Sequence, residues 1–209
     1  MNPISHLTDL FTKFPGIGPR QARRFVYYLL HSDPRIASEL AAAISNIKTA
    51  TAQCGSCFRF FTTNYKNTNT ICDICADEIA DHTTLLVVEK DADLETVRKT
   101  GTYNGLYFVL GGLVPILEKS PETKIRSRQL LQRIKNLSAS QELKEVILAL
   151  SASVEGDNTA EYLRGIIEPL RSQTGFTVSS LARGLSTGSE LEYSDSETIR
   201  AAIGNRQKT

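Results

Sequence analysis

The chain has almost no net charge of either sign, and it has no long apolar run. Lys and Arg number 24 against 23 Asp and Glu, so the formal net charge is +1. A chain so balanced cannot coat DNA through bulk charge, and contact with nucleic acid has to come from a local patch. No stretch approaches the roughly 18 consecutive apolar residues of a membrane span. With no basic segment leading into an apolar run near residue 1, we expect a cytoplasmic protein without membrane contact.

Recognisable catalytic arrangements are also missing. The three histidines, His6, His31 and His82, form no triad pattern, and no phosphate-binding loop of the form G-x4-G-K-[ST] occurs. Tyr193 lies in an acidic run without the surroundings of a DNA-cleaving tyrosine. We therefore expect no catalytic residue.

The first fifty residues predict three helices. Apolar spacing favours helices that begin near Pro3, at Pro19 and at Asp33-Pro34, and the third reaches about residue 50. The second helix is expected to bury one apolar face, formed by Ala22, Phe25, Val26, Leu29 and Leu30.

A tight turn joins the first two helices. Gly16 and Gly18 allow the backbone to approach a partner closely, and the next helix begins with free N–H groups that favour a phosphate. Arg20 and Arg24 lie one turn apart and could clamp neighbouring phosphates. A plain helix corner with a solvated arginine face is the alternative, and the residues alone do not decide between the two.

The four cysteines form two C-x2-C pairs, Cys54 with Cys57 and Cys72 with Cys75. Each pair makes a turn that aims two sulfurs at one metal, and four thiolates suit a closed structural zinc site. Because such a site leaves no open position for water, we expect no zinc catalysis. The alternatives are a redox dithiol, which usually needs one pair, and two disulfides, which the cytosol disfavours.

The rest of the chain alternates between strand and helix patterns, which predicts an α/β fold with a parallel sheet flanked by helices. The expected strands are 85–88, 106–110, 146–150 and 176–179. The expected helices are 91–100, 126–136, 159–172 and, in the C-terminal tail, 196–203.

Several segments in this order resemble the RecR family of recombination mediators. They are FPGIGPRQARRF, the four-cysteine module, LLVVEK, GTYNGLYFVLGG, EVILALSASVEGDNTAEYL and LARGLSTGSELEY. The resemblance covers nearly the whole chain and implies four parts: a helix-hairpin-helix region at 1–53, a zinc module at 54–80, a Toprim domain at 81–180 and a C-terminal segment at 181–209.

The resemblance also implies a function. The expected protein binds duplex and gapped DNA as a non-catalytic clamp, forms a ring-like homotetramer at the nucleoid, and acts with RecO and RecF to help load RecA at single-stranded gaps. By position, Arg20 and Arg24 match the basic hairpin residues linked to DNA, and the four cysteines match the zinc ligands.

Three carboxylates match the acidic Toprim positions: Glu89, Glu155 and Asp157. Toprim enzymes hold Mg²⁺ with a glutamate and an Asp-x-Asp pair, but here that pair is Ser151 and Ser153. The remaining acids could gather one weakly held Mg²⁺ together with a DNA phosphate, or simply favour a helix N-terminus. The alternatives to a clamp are therefore a magnesium-dependent Toprim nuclease or primase-like enzyme, and a zinc-stabilised scaffold that binds only proteins.

The segment between the cysteine pairs, residues 58–71, is longer than is usual in the family. Its aromatic residues Phe60, Phe61 and Tyr65 would either cover the zinc module or form a partner surface.

Overall fold

The computed structural model describes residues 2–63, 70–140, 142–185, 187–188 and 190–206. The chain divides into two compact units, one of Met1–Ala52 with Thr62–Asn67 and one of Gln53–Phe61 with Thr68–Thr209. No helix within the described residues is both long and apolar enough to cross a bilayer.

The first unit contains three helices, α1 (Pro3–Phe11), α2 (Pro19–His31) and α3 (Pro34–Ile47). Each begins with a proline at its first position, which the missing N–H and fixed φ of proline permit. Asn2 caps α1 and Asp33 caps α3 through their side chains. The three predicted helices are thus confirmed, although α3 ends at Ile47, before residue 50.

The apolar face of α2 is narrower than the sequence predicts. Ala22 and Val26 are buried, and Phe25 packs edge-on against Phe11 of α1 with ring centroids 5.7 Å apart. Leu30, expected on the same face, is 59% exposed. It lies in the last turn of α2.

Helix α3 buries no residue at all. One apolar side chain per turn remains exposed along it, and these residues are Ile36, Leu40, Ile44 and Ile47. A soluble monomer rarely leaves such a continuous stripe uncovered, so this face has the character of an interface.

Three short elements surround the cysteines. Strands β1 (Thr51–Gln53) and β2 (Phe60–Thr62) pair with each other, and the single-turn helix α4 (Asp73–Ala76) contains Cys75 and follows Cys72.

The second unit is built on a four-stranded parallel sheet in the order β4-β3-β5-β6. In chain order its elements are β3 (Asp81–Val88), α5 (Asp91–Thr100), β4 (Gly105–Val109), α6 (Ser127–Ala139), β5 (Glu145–Ala149), α7 (Val154–Thr174) and β6 (Thr177–Ser180), followed by α8 (Ser196–Gly204) in the C-terminal segment. The predicted fold class is confirmed.

Both faces of the sheet are covered, because side chains alternate along each strand. One face packs on α6 and α7 through a core that includes Val87, Phe108 and Leu148. The opposite face packs on α5 around Val88 and Leu94. Burial on both sides explains why the strands read as apolar runs.

Helix α7 begins at Val154, five residues before the predicted start. The side chain of Ser153 accepts a hydrogen bond from the amide of Gly156 at 3.1 Å and caps the helix. Gly156 lies against the end of β5, and a Cβ built there would sit 1.9 Å from the carbonyl oxygen of Ser151. The absence of a side chain at 156 therefore sets how closely α7 follows β5.

We predict that Gly156→Ala destabilises the protein by about 1–3 kcal/mol or more, because backbone has to move to admit the methyl group. Gly165→Ala, in the same helix, is the matched control. Its Cβ would meet no atom within 4 Å, so it should be neutral or stabilising by up to about 1 kcal/mol. Urea unfolding of both variants measures the difference, and equal stabilities would contradict this account of Gly156.

Candidate metal centre and nucleic-acid interface

The four cysteine sulfurs converge in a largely buried cluster. All four Sγ atoms lie within 4.8 Å of one another, and those of Cys57 and Cys72 are 3.6 Å apart. Sulfurs at about 2.3 Å from a tetrahedral zinc ion lie about 3.8 Å from each other. The donor set and its spacing therefore fit a single metal ion bound by four thiolates.

Local backbone bonds place the two cysteine pairs. After β1 the chain turns back on itself, with the Cys54 amide donating to the carbonyl of Arg59 and the Phe58 amide donating to the carbonyl of Cys54. Cys72 precedes α4 and Cys75 lies within it. The amides of Ser56 and Cys72 both donate to Sγ of Cys54 at 3.4 Å, which stabilises a thiolate there.

The sulfurs influence each other's ionisation. Hydrogen bonding from the Cys57 thiol lowers the pKa of Cys54, and the same contact raises the pKa of Cys57. A metal ion bound at the centre would displace the thiol protons, because thiolates are the ligands.

The first cysteine turn is joined to the sheet. The Val109 amide on β4 donates to the carbonyl of Cys57 at 2.8 Å. Phe58 has a positive φ of 63°, an uncommon conformation for a bulky residue, which points its ring at Phe108 with centroids 5.4 Å apart. The Arg126 guanidinium lies 5.5 Å from the Phe58 ring and donates to the carbonyl of Val109.

A buried arginine also links the cluster to α5. The side chain of Arg59 is only 8% exposed and pairs with Asp73 of α4 at 2.8 Å and with Glu95 of α5 at 3.3 Å. Arg98 pairs with the other oxygen of Asp73 at 2.8 Å. Burial raises the pKa of Asp73, but the two guanidinium groups outweigh it and hold that pKa below its usual range. Sequence patterns did not single out Arg59, because only the fold brings Asp73 and Glu95 to it.

The long segment between the cysteine pairs divides its aromatic residues. Phe61 packs against the cysteine cluster, while Phe60 is 60% exposed. Tyr65 lies outside the described residues. The segment therefore contributes to the packing of the cluster through Phe61.

The basic turn lies in the first unit. Gly16 has a φ of +76°, and Gly18 caps α2 without a side-chain bond. The first turn of α2 contains no acidic residue, and Arg20 and Arg24 are both exposed. Nη1 of Arg24 donates to Oε1 of Gln21 at 3.4 Å. The turn thus combines amide donors, a positive helix end and two exposed guanidinium groups.

The three carboxylates at the acidic Toprim positions occupy different surroundings. Glu89 follows β3 and pairs with Lys90 at 3.7 Å. Glu155 and Asp157 lie in the first turn of α7, where a helix dipole favours acids. Both oxygens of Asp157 are taken by the guanidinium of Arg183.

Within the described residues, the fold does not gather these three carboxylates into one cluster. Within the described ranges, the cysteines are the one group of three or more potential ligands that the fold gathers. Ser151 and Ser153 hydrogen bond to each other at 3.0 Å and supply no charge. Mg²⁺ is commonly held by one or two carboxylates together with water and phosphate oxygens, and here the two hydroxyls add no charge to that of Glu89, Glu155 and Asp157.

Comparison with known families agrees with the architecture. Residues 83–182 match the Toprim domain, residues 4–48 match the RecR helix-hairpin-helix, and residues 184–207 match the RecR C-terminal region. The fold and its sites thus define a Toprim protein with an N-terminal helix-hairpin-helix and a four-cysteine cluster.

Full-length relatives narrow this class. The chain is 37% identical over 206 residues to recombination protein RecR of Chloroflexus aurantiacus, covering 99% of this chain and 94% of the relative. It is 38% identical over 204 residues to recombination protein RecR of Chlorobium chlorochromatii, with 97% and 95% covered. For the protein of the same name in Lactobacillus acidophilus the identity is 34%, with 98% and 96% covered. The chain belongs to the RecR family, whose role is that of a recombination mediator in DNA repair.

We predict that Cys57→Ser removes the bound metal and destabilises the protein by about 4 kcal/mol or more, because metal binding at such a site is largely folding free energy. Ser56→Ala changes the residue beside it without removing a ligand and should keep the metal. Elemental analysis gives the metal content and thermal unfolding gives the stability. A Cys57→Ser protein with full metal content and unchanged unfolding would contradict the four-thiolate site.

Proposed function

We propose that this chain is a DNA-binding, non-catalytic clamp, and that the turn at Gly16 and Gly18 with Arg20 and Arg24 is its DNA contact. The observation that carries the proposal is the exposure of both arginines beside a helix N-terminus that has no side-chain cap and no acidic residue in its first turn. Contacts of this kind bind phosphates and position DNA without selecting a sequence. The match of residues 4–48 to the RecR helix-hairpin-helix supports the same assignment.

The metal at Cys54, Cys57, Cys72 and Cys75 is proposed to be structural Zn²⁺. Four thiolates select a soft ion and leave no position for a reacting water. The burial of the cluster and its bonds to β4 and α5 support a structural role.

The absence of enzymatic activity is part of the proposal. Metal-dependent Toprim chemistry needs several carboxylates around one ion, and hydroxyls stand at positions 151 and 153. The ion pair of Asp157 with Arg183 argues in the same direction, since it removes another acid from the set. A nuclease or primase-like activity is therefore the less well supported function.

The proposed partners are those that membership of the RecR family implies. We propose a homotetrameric ring that encircles or contacts DNA at the nucleoid and works with RecO and RecF to load RecA at single-stranded gaps. The exposed apolar stripe on α3 supports self-association, because its burial between copies would remove four large side chains from water. Several copies of one basic turn would then act together on one DNA molecule.

We predict that Arg20→Ala/Arg24→Ala weakens binding to a labelled gapped duplex at least tenfold, since up to two phosphate contacts per chain are lost. The log–log salt dependence should also fall by about 2 per bound chain. Fluorescence anisotropy at two salt concentrations measures both quantities.

The matched control for that experiment is Arg35→Ala/Arg171→Ala. It removes the same charge, but from arginines that already pair with Asp33 and Glu168. If both double variants lose affinity equally, net charge and not the turn controls binding. If the unaltered protein does not bind at low salt, the protein-binding scaffold becomes the better description.

We predict further that light scattering gives a mass near four times that of the chain. Ile44→Glu should lower it, because a charge within the apolar stripe of α3 opposes its burial. Glu39→Gln, on the same helix, is the control and should leave the mass unchanged. A monomeric mass for the unaltered protein at working concentration would contradict the ring.

A further inference from the structure

We propose that Arg183 is a built-in counter-ion of the Toprim site, and that its guanidinium occupies the carboxylate of Asp157 in place of a divalent cation. The inference extends the proposal that the chain is not an enzyme. Its test measures metal binding, so it can fail independently of DNA binding.

The contact is a two-point one. Nη1 of Arg183 donates to Oδ2 of Asp157 at 3.0 Å, and Nη2 donates to Oδ1. This fork matches the planar shape of a carboxylate and takes one lone pair from each oxygen. The hydrogen bonds from Arg183 lower the pKa of Asp157, so the carboxylate is ionised and its charge is compensated at neutral pH.

The fold delivers Arg183 to this place. Parallel strands end at one edge of the sheet, and ligands of α/β proteins bind outside that edge. Strand β6 ends at Ser180 beside β5, so that Arg183 reaches the first turn of α7 three residues later. The carbonyl of Arg183 accepts a hydrogen bond from Asn205, just after α8, at 2.9 Å. The backbone that carries the guanidinium is thus fixed on the C-terminal side as well.

The residues around the Asp157–Arg183 pair balance the charge of Asp157 without a bound metal ion. A cavity of about 350 Å³ is lined by Ser151, Asp157, Arg164 and Arg183, among others. Arg164 donates to the hydroxyl of Ser180 at 2.6 Å and does not hydrogen bond to Asp157. The charged side chains that line this cavity are Asp157, Arg164 and Arg183, so its lining has a positive balance, whereas a magnesium site needs a negative one.

The Asp157–Arg183 pair matters because the arginine occupies the carboxylate, and it contributes little to the stability of the fold. The two side chains are 40% and 55% exposed, and exposed ion pairs contribute about 0–1 kcal/mol. A single carboxylate binds Mg²⁺ weakly, because the ion gives up its water reluctantly. The guanidinium of Arg183 is tethered beside this carboxylate at a high effective concentration, so it competes successfully with the weakly bound Mg²⁺.

The test is a titration with Mn²⁺ alone, which takes the same oxygen ligands as Mg²⁺ and whose free form is counted by electron paramagnetic resonance. Ser151→Asp/Ser153→Asp restores the missing acids while Arg183 is present. Adding Arg183→Gln to this pair should tighten Mn²⁺ binding up to about fivefold, because Asp157 becomes available and the ion pair no longer has to be broken.

Arg164→Gln on the same Ser151→Asp/Ser153→Asp background is the matched control. It removes the same charge from the same cavity but leaves the Asp157–Arg183 contact in place, so it should give much less gain. Equal gains from the two glutamine variants would mean a general charge effect and overturn the proposal, as would no gain from Arg183→Gln.

Arg183→Lys covers the case in which the glutamine variant does not fold. On the Ser151→Asp/Ser153→Asp background, this variant keeps the positive charge and gives up the two-point contact. Its Mn²⁺ affinity should therefore be higher than that of the same background with Arg183. Equal affinity of the lysine and arginine chains would contradict the role of the fork. Zinc content and circular dichroism of every chain confirm that the comparison is made between folded proteins.

Discussion

Strand β4 lies at the edge of the sheet, and an edge strand leaves backbone groups without partners in the sheet. The cysteine turn satisfies one of them, because the Val109 amide donates to the carbonyl of Cys57. The next residue, Phe58, places its ring on Phe108 of the same strand and under the guanidinium of Arg126. The conformation of a metal-ligand turn and the packing of the sheet edge therefore depend on each other. A metal ion that fixes the four sulfurs also fixes the residue that covers β4.

The network around Arg59 extends this dependence to the opposite face of the sheet. Arg59 is buried, and its Nε has no partner among the described residues, which is costly for a charged group. Its two other nitrogens are satisfied by Asp73 of α4 and Glu95 of α5. Removing one of these partners would leave charge on a buried arginine without compensation, so Arg59 couples the cysteine cluster to α5. The cysteines thus form a hydrophobic cluster of their own that is tied to the sheet through β4 and to α5 through Arg59.

Periodicity and spacing predicted most of the framework. The four strands and α5 follow from apolar runs bounded by polar turns. The C-x2-C spacing of the two cysteine pairs predicted that their four sulfurs lie together. Helix α7 begins earlier than the predicted range, because Ser153 caps it and its first turn contains Glu155 and Asp157. The exposure of Leu30 was not predicted, because helical spacing shows which residues share a face and not which of them meet a packing partner.

The residues that sequence reasoning missed share one property, which is that their partners are distant in the chain. Arg59 reaches Glu95, and Arg183 reaches Asp157, over separations that no local pattern encodes. The acidic positions were found by resemblance, but whether their charges are free depends on such distant partners. Asp157 illustrates the difference, since its position suggests a metal ligand and its surroundings make it half of an ion pair. An acid at a family position can thus hold its own cation in place of a metal, and the function of the site follows from the charge that remains uncompensated.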